Sequence, residues 1–314
     1  MRDEWSVAFG EMARAHWTPE RVGELTGSKR LLVTPDAAPL LLRALGLLHR
    51  DATMPPRQVH KFLQLNHMLW TLGPPLRELM GRFAQLNIVD AGCGRSYLSL
   101  ALAWCFENVW MHPVRIIGVD RNAALIAECR RITELAGLDH LMAYVASDLE
   151  SFALDQGSEL HALIALHACD TATDDAIALG LAQKAELIAV APCCQAELAR
   201  GWRALSEADT AGAFAPLWNS PQLRRASAAT LTDTFRTLLL AAAGYDTRAV
   251  EFVASAHTPK NTLIRAMRRT DFATEPAKQY LALRDATGGV PIKLERLLAS
   301  ELRARLEIAK PTHG

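Results

Sequence analysis

A chain of 314 residues, half of them hydrophobic, is long enough for one main domain and a smaller lobe with buried cores. Its 34 Lys and Arg balance 34 Asp and Glu, and 18 Gly with 15 Pro fit a soluble globular chain rather than a low-complexity one. No apolar run approaches the ~20 residues needed to cross a bilayer, and the first residues carry acids rather than the hydrophobic stretch of a signal peptide. Six cysteines, at 93, 105, 129, 169, 193 and 194, are scattered and two are adjacent. That is not a disulfide framework, so a reducing cytoplasm is expected.

Taken in chain order, residues 1–84 read as a mostly helical N-terminal segment. The prolines at 35 and 39 lead into a helix over 40–48, and Pro55 and Pro56 open a second through Leu72. Val59, Phe62, Leu63, Met68 and Leu69 give this second helix an apolar set near helical spacing. Gln58, Lys61, Gln64, Asn66 and His67 interrupt it with hydrogen-bonding groups that could face a cofactor or substrate mouth. Pro74 and Pro75 are expected to start another helix that ends before the first strand. A strand then closes on Asp90, and helical periodicity begins at Tyr97. A second strand over 115–120 ends in Asp120 and feeds a helix over 123–136, and a third over 141–148 ends in Asp148. Further strands are predicted over 160–166 and 186–191, each followed by a loop, with a helix through Lys184 between them. Residues 196–226 read as an insertion, 231–243 as a helix, 247–254 and 262–267 as the last two strands, and 276–314 as a helical tail. This alternation predicts an α/β, Rossmann-like sheet of seven strands. The expected division is 1–84, 85–270 and 271–314.

The strand–turn–helix at 87–99 is the most informative segment. Gly92 and Gly94 bracket one residue directly after a strand, which lets backbone approach a ligand and aims free N–H groups at it. By itself such a glycine pair is a weak signal, and the missing third glycine argues against a dinucleotide. Asp120 can accept hydrogen bonds from both hydroxyls of a ribose, and Asp90 can orient the loop or meet a cationic group. Asp120 and Asp148 could instead cap helices. Three strands all ending in Asp favour the ligand reading.

With these residues the segment 86–195 resembles a class I S-adenosylmethionine-dependent methyltransferase. The resemblance implies S-adenosyl-L-methionine as cofactor. It implies a cofactor-binding set of Asp90, Gly92, Gly94, Asp120, Arg121, Asp148, Leu149 and His167, with Asp148 near the adenine amino group. His167-Ala-Cys-Asp-Thr-Ala-Thr-Asp174 followed by Pro192-Cys-Cys resembles one group within that class. That group holds the methyltransferase domain of the glutathione-S-transferase C-terminal-domain-containing protein, and the segment is also similar to the acceptor-stem tRNA 2′-O-methyltransferases. Asp170 departs from the pattern, standing where glycine is usual, and no cysteine/histidine set follows Cys194 as in the zinc-binding tRNA enzymes.

Methyl transfer from a sulfonium is an in-line displacement, so alignment supplies most of the effect. A neutral hydroxyl or amine also loses a proton, and His167 or Asp170 is placed to take it. Cys194 permits another course, thiolate attack on a pyrimidine with Cys169 as its pair, although a buried cysteine is more often a small apolar filler. Asp174 is expected to cap the following helix. Adjacent cysteines are poor chelators, so no metal is expected. Residues 29–82 carry eight Lys/Arg against three acids and 200–269 ten against five, whereas 86–199 carry six against fifteen. An acidic centre flanked by basic segments suits a polyanion, so RNA (tRNA or rRNA) is the leading substrate, held by Lys61, Lys260 and Asn261. A protein or small-molecule substrate is the alternative, and a non-catalytic binding module is the reading from another class. No membrane partner is expected, and the oligomeric state stays open.

Overall fold

Short runs of Val, Ile, Leu and Ala, separated by helices with one buried stripe, give the chain its alternating architecture. The computed structural model describes residues 2–27, 29–155, 157–166, 168, 170–208, 210, 212–251 and 262–307. Seven strands form one sheet in the order β3-β2-β1-β4-β5-β7-β6. This is the mixed α/β sheet expected from the sequence. By contacts the chain divides into two units, Met1–Asp148 and Leu149–Gly314.

The first unit holds helices α1 (Arg2–His16), α2 (Pro19–Thr26), α3 (Pro39–Ala44) and α4 (Pro56–Met80). Strand β1 (Leu86–Ala91), α5 (Tyr97–Asn108), β2 (Val114–Asp120), α6 (Ala123–Ala136) and β3 (Met142–Ala146) follow. β1 lies parallel to β2, with Leu86 beside Val114 and Ala91 beside Val119, and β2 lies parallel to β3. Burial along β1 is nearly continuous rather than alternating, as a parallel strand covered on both faces requires. The helical N-terminal segment joins this unit, because α3 packs on α6 and α4 on α5.

The N-terminal helices depart from the sequence expectation at two places. The helix predicted over 40–48 stops at Ala44, where Gly46 turns with φ 69°. The proline pair at 74 and 75 does not open a separate helix; α4 runs through it. Leu69, Leu72, Pro75, Leu76 and Leu79 are all buried, so tertiary packing holds a backbone that proline alone would interrupt.

The second unit holds β4 (Ala162–Ala165), α7 (Thr171–Ala182), β5 (Leu187–Val190), α8 (Glu197–Glu207), α9 (Ala215–Asn219) and α10 (Pro221–Ala242). Then come β6 (Tyr245–Glu251), β7 (Thr262–Arg268), α11 (Thr274–Ala286), α12 (Lys293–Leu297) and α13 (Ser300–Arg305). β4 and β5 are parallel, while β7 runs antiparallel to β5 and β6 antiparallel to β7. The stretch read as an insertion is mostly helical. Leu198, Ala199 and Trp202 give α8 its buried stripe, and Pro221 starts α10 ten residues before the predicted helix. Strand 247–254 was expected too late: β6 begins at Tyr245, and 252–254 lie outside the described residues. No described helix is long and apolar enough to cross a membrane.

Candidate active site

At the carboxyl end of β1 the chain reverses through left-handed backbone at Gly92 (φ 71°) and Gly94 (φ 55°). Glycine adopts this conformation without the clash a Cβ would introduce. The amides of Gly92 and Cys93 both donate to the Val119 carbonyl, at 2.8 and 3.0 Å, which fastens the loop to β2. Asp120 completes the attachment: its carboxylate accepts from the Gly94 amide at 3.1 Å and from the Asn122 amide at 2.9 Å. Two backbone donors leave a carboxylate with further lone pairs for ligand hydroxyls. Asp90 is 4% exposed and accepts from the Ser99 hydroxyl at the start of α5.

Neither Asp90 nor Asp120 caps a helix. Ser96 stands at the N-cap of α5, and Asn122 caps α6 by accepting from the Leu125 amide at 3.1 Å. Behind the loop, the Cys129 thiol donates to the Gly94 carbonyl at 3.2 Å and the Tyr144 hydroxyl donates to Ser96 at 3.1 Å. The adjacent Cys129 thiol and burial together push the Cys93 thiol up, so it stays protonated. A Cβ at Gly118 would stand 2.7 Å from the Tyr144 ring and 3.1 Å from the Cys93 sulfur. These supporting residues were missed from sequence. Only Gly118 carried a signal, a glycine inside a strand.

The fold thus brings Asp90, Gly92, Gly94 and Asp120 together. Arg121 is exposed beside them; Asp148, also exposed, follows β3, whose next residue, Ser147, donates its amide to the Asp120 carbonyl at 3.1 Å. Lys61 is exposed on α4. Asn66 is not on any mouth. It is fully buried and clamps the Val33 backbone, accepting from its amide and donating to its carbonyl, both at 2.9 Å.

In the second unit the loop after β4 contains Asp170 in a strained conformation, φ 53° and ψ −120°. Its amide donates to the Cys194 carbonyl at 3.0 Å. One carboxylate oxygen accepts from the amides of Ala196 (2.9 Å) and Glu197 (3.3 Å), and the other from Arg200 (3.1 Å). Asp170 therefore ties the loops after β4 and β5 together. Burial works to raise its pKa, but these donors outweigh it and hold the carboxyl below the usual range.

Asp174 does not cap α7, contrary to the sequence reading. It is 1% exposed and takes both ends of a fork from the equally buried Arg236 on α10, at 2.9 and 3.0 Å. Arg236 also donates to the Asp170 carbonyl (2.8 Å) and to Asp233 (3.1 Å), and Asp233 accepts from Gln195 (2.8 Å). Nothing in the local sequence pointed to Arg236, which lies 62 residues from its partner.

Cys194 is a half-buried free thiol, whereas Cys193 is disulfide-bonded, although the cysteine spacing predicted no disulfide framework. Leu149 is half-buried. His167, Cys169, Lys260 and Asn261 lie outside the described residues. Among the described residues there is no His/Cys/Asp/Glu cluster that could hold a metal. A cavity of about 480 Å3 lined by Lys184, Tyr245, Arg268 and Arg305 lies at the opposite end of β5 from these loops.

A seven-stranded sheet with one antiparallel strand at position six, and a glycine turn after β1 pinned by an acid from β2, make this a Rossmann-like α/β fold. Residues 60–201 match a family model described as a methyltransferase domain. The matched span is a little under half of the chain and contains the glycine turn, Asp120, Asp170 and Cys194. Among solved structures it is similar to SAH-bound magnesium protoporphyrin IX methyltransferase from Synechocystis PCC 6803. That match is 14% identical with a TM-score of 0.41, over 73% of this chain and 92% of that one. It is similar to an SAH-bound methyltransferase of Podospora anserina at 13% identity and TM-score 0.43, over 81% and 97%. An rRNA methylase from Streptococcus thermophilus matches at 10% identity and TM-score 0.37, over 60% and 89%. No curated protein is a significant sequence match.

The residues present fit S-adenosylmethionine. Asp120 offers a carboxylate already aimed by two amides, the glycines leave space where side chains would intrude, and the buried Asp90 adds negative charge near a cationic sulfur. When bound, the cofactor supplies an electrophilic methyl group.

Proposed function

We propose that this protein is an S-adenosylmethionine-dependent methyltransferase acting on RNA, tRNA or rRNA. The observation that carries the methyltransferase reading is the glycine turn held open by Asp120 through the Gly94 amide. Asp120 holds the ribose, Gly92 and Gly94 admit the methionine moiety, and Arg121, Asp148 and Leu149 flank the adenine. Because both Asp170 oxygens are engaged by Ala196, Glu197 and Arg200, Asp170 is a positioning residue in this reading. His167 takes the proton from the nucleophile. Cys194, whose carbonyl receives the Asp170 amide, is placed by that same tie. Lys260 and Asn261 complete the substrate side.

RNA is favoured over a protein or metabolite by the basic excess of residues 29–82. The test is calorimetry with S-adenosylmethionine, followed by mass spectrometry of modified nucleosides from wild-type and deletion cells. Low-micromolar binding, roughly 8 kcal/mol, and one methylated nucleoside missing from the deletion strain are expected. Binding without any change in RNA would move the substrate to protein or metabolite, and no binding would leave a non-catalytic module.

A further inference from the structure

Helix α4 buries one side in the first unit and shows solvent the other. The exposed ridge runs through Arg57, Lys61, Gln64, His67, Trp70 and Arg77, stepping three or four residues at a time apart from Pro74 between the last two. At ~1.5 Å rise per residue it is about 30 Å long. No Asp or Glu occurs between residues 57 and 77. Among the described residues Arg57, Lys61 and Arg77 form no ion pair, so the ridge keeps its positive charge.

Trp70 stands 62% exposed in the middle of this ridge. Its ring meets no other aromatic or cationic side chain among the described residues. The Arg77 guanidinium folds back one turn, within 3.1 Å of where a Cβ on Gly73 would stand. One exposed apolar side chain on a surface is unremarkable. An indole flanked over several turns by unpaired cations and amide or imidazole donors, with a single acid, Glu78, at the far end of the helix, is a different object. It offers a flat stacking face and phosphate ligands in one line.

We propose that this face of α4 docks a single-stranded stretch of RNA, with a base stacked on Trp70 and phosphates held by Arg57, Lys61 and Arg77. The proposal rests on the RNA reading above and names the surface that reading lacks. Stacking on an aromatic ring is indifferent to base identity, and the cations follow the backbone, so the face adds affinity without sequence selection. A duplex, whose bases are already stacked, gains only the charge contacts.

The test measures fluorescence anisotropy of a short unstructured RNA oligonucleotide of mixed sequence, and of the same strand in a duplex, against full-length protein. Variants are Trp70→Ala, Trp70→Phe, the triple Arg57→Ala/Lys61→Ala/Arg77→Ala, and Arg203→Ala on α8 as an exposed-charge control. Trp70→Ala should weaken single-strand binding by about five- to a hundred-fold and leave duplex binding nearly unchanged. Trp70→Phe should restore most of the loss. The triple variant should flatten the log–log salt slope by about two, at ~0.7 per phosphate on a single strand. Arg203→Ala should resemble wild type. All replaced side chains are exposed, so matching thermal melts confirm folding.

Equal single-strand affinity in wild type and Trp70→Ala would overturn the docking face while leaving the RNA reading intact. No RNA binding by wild type at low salt, alongside normal S-adenosylmethionine binding, would overturn both. Trp70-dependent binding to polyglutamate as tight as to RNA would assign the face to an acidic protein and overturn the proposal.

Discussion

Removing the Asp174 carboxylate strands a charge inside the second unit. Arg236 and Asp174 are each 1% exposed, and the guanidinium reaches solvent nowhere. In Asp174→Ala it keeps the Asp170 carbonyl and the partly exposed Asp233, and loses the fork of two charged hydrogen bonds. Breaking a buried pair on one side costs about 3–5 kcal/mol, chiefly from the uncompensated charge. The surviving Asp233 contact points to the lower end, about 3 kcal/mol. That is a large share of the 5–15 kcal/mol of a typical domain. For a unit of this size it lowers the melting temperature by roughly 6–12 °C. Urea unfolding followed by tryptophan fluorescence reads the change, since Trp202 and Trp218 are buried in this unit. The double variant Asp174→Leu/Arg236→Met, which removes both charges, should regain most of the loss. A loss below about 1 kcal/mol in Asp174→Ala, or a double variant no better than the single one, would refute the assignment of a buried ion pair.

Two further outcomes follow from the site. Asp120→Ala should weaken S-adenosylmethionine binding by about ten- to a hundred-fold, the ~1.5–3 kcal/mol of hydrogen bonds to a charged group, and calorimetry showing wild-type affinity would remove the ribose assignment. Asp170 titrates below its ordinary range in the folded protein, so its stabilising effect is present above about pH 4 and is lost as pH falls through the folded value. Asp170→Asn should therefore be less stable than wild type at neutral pH, with the gap closing on acidification; a gap constant from pH 7 to 3 would show that the carboxylate charge is not what holds the loops.

The cofactor half of the site was legible in the chain because its parts are local. A strand end, a glycine pair and an acid closing the next strand are each fixed by a few consecutive residues, and strand–helix periodicity placed them at the carboxyl ends of neighbouring strands. The α6 boundaries, 123–136, came out as expected because Asn122 and Gly137 are strong stop signals at its two ends. Local rules failed where packing outweighs them. Pro74 and Pro75 mark a helix start in sequence, yet burial of Leu72, Pro75, Leu76 and Leu79 carries α4 through them. Residues 196–226 look irregular because their helices are short and polar on one side, and burial of Leu198, Ala199 and Trp202 gives α8 a reason to fold.

The largest surprises are long-range. Asp174 reads as a cap from its place in the first turn of α7, and Asp170 as a base from its place after β4. What assigns their charges is Arg236, Ala196 and Arg200, which the chain delivers from 26 to 62 positions away. Sequence alone determines which groups carry charge and hydrogen-bonding capacity, and where backbone must turn. Only the tertiary structure decides which of those groups are removed from water, and burial turns an ordinary carboxylate into either a ligand or a clamp.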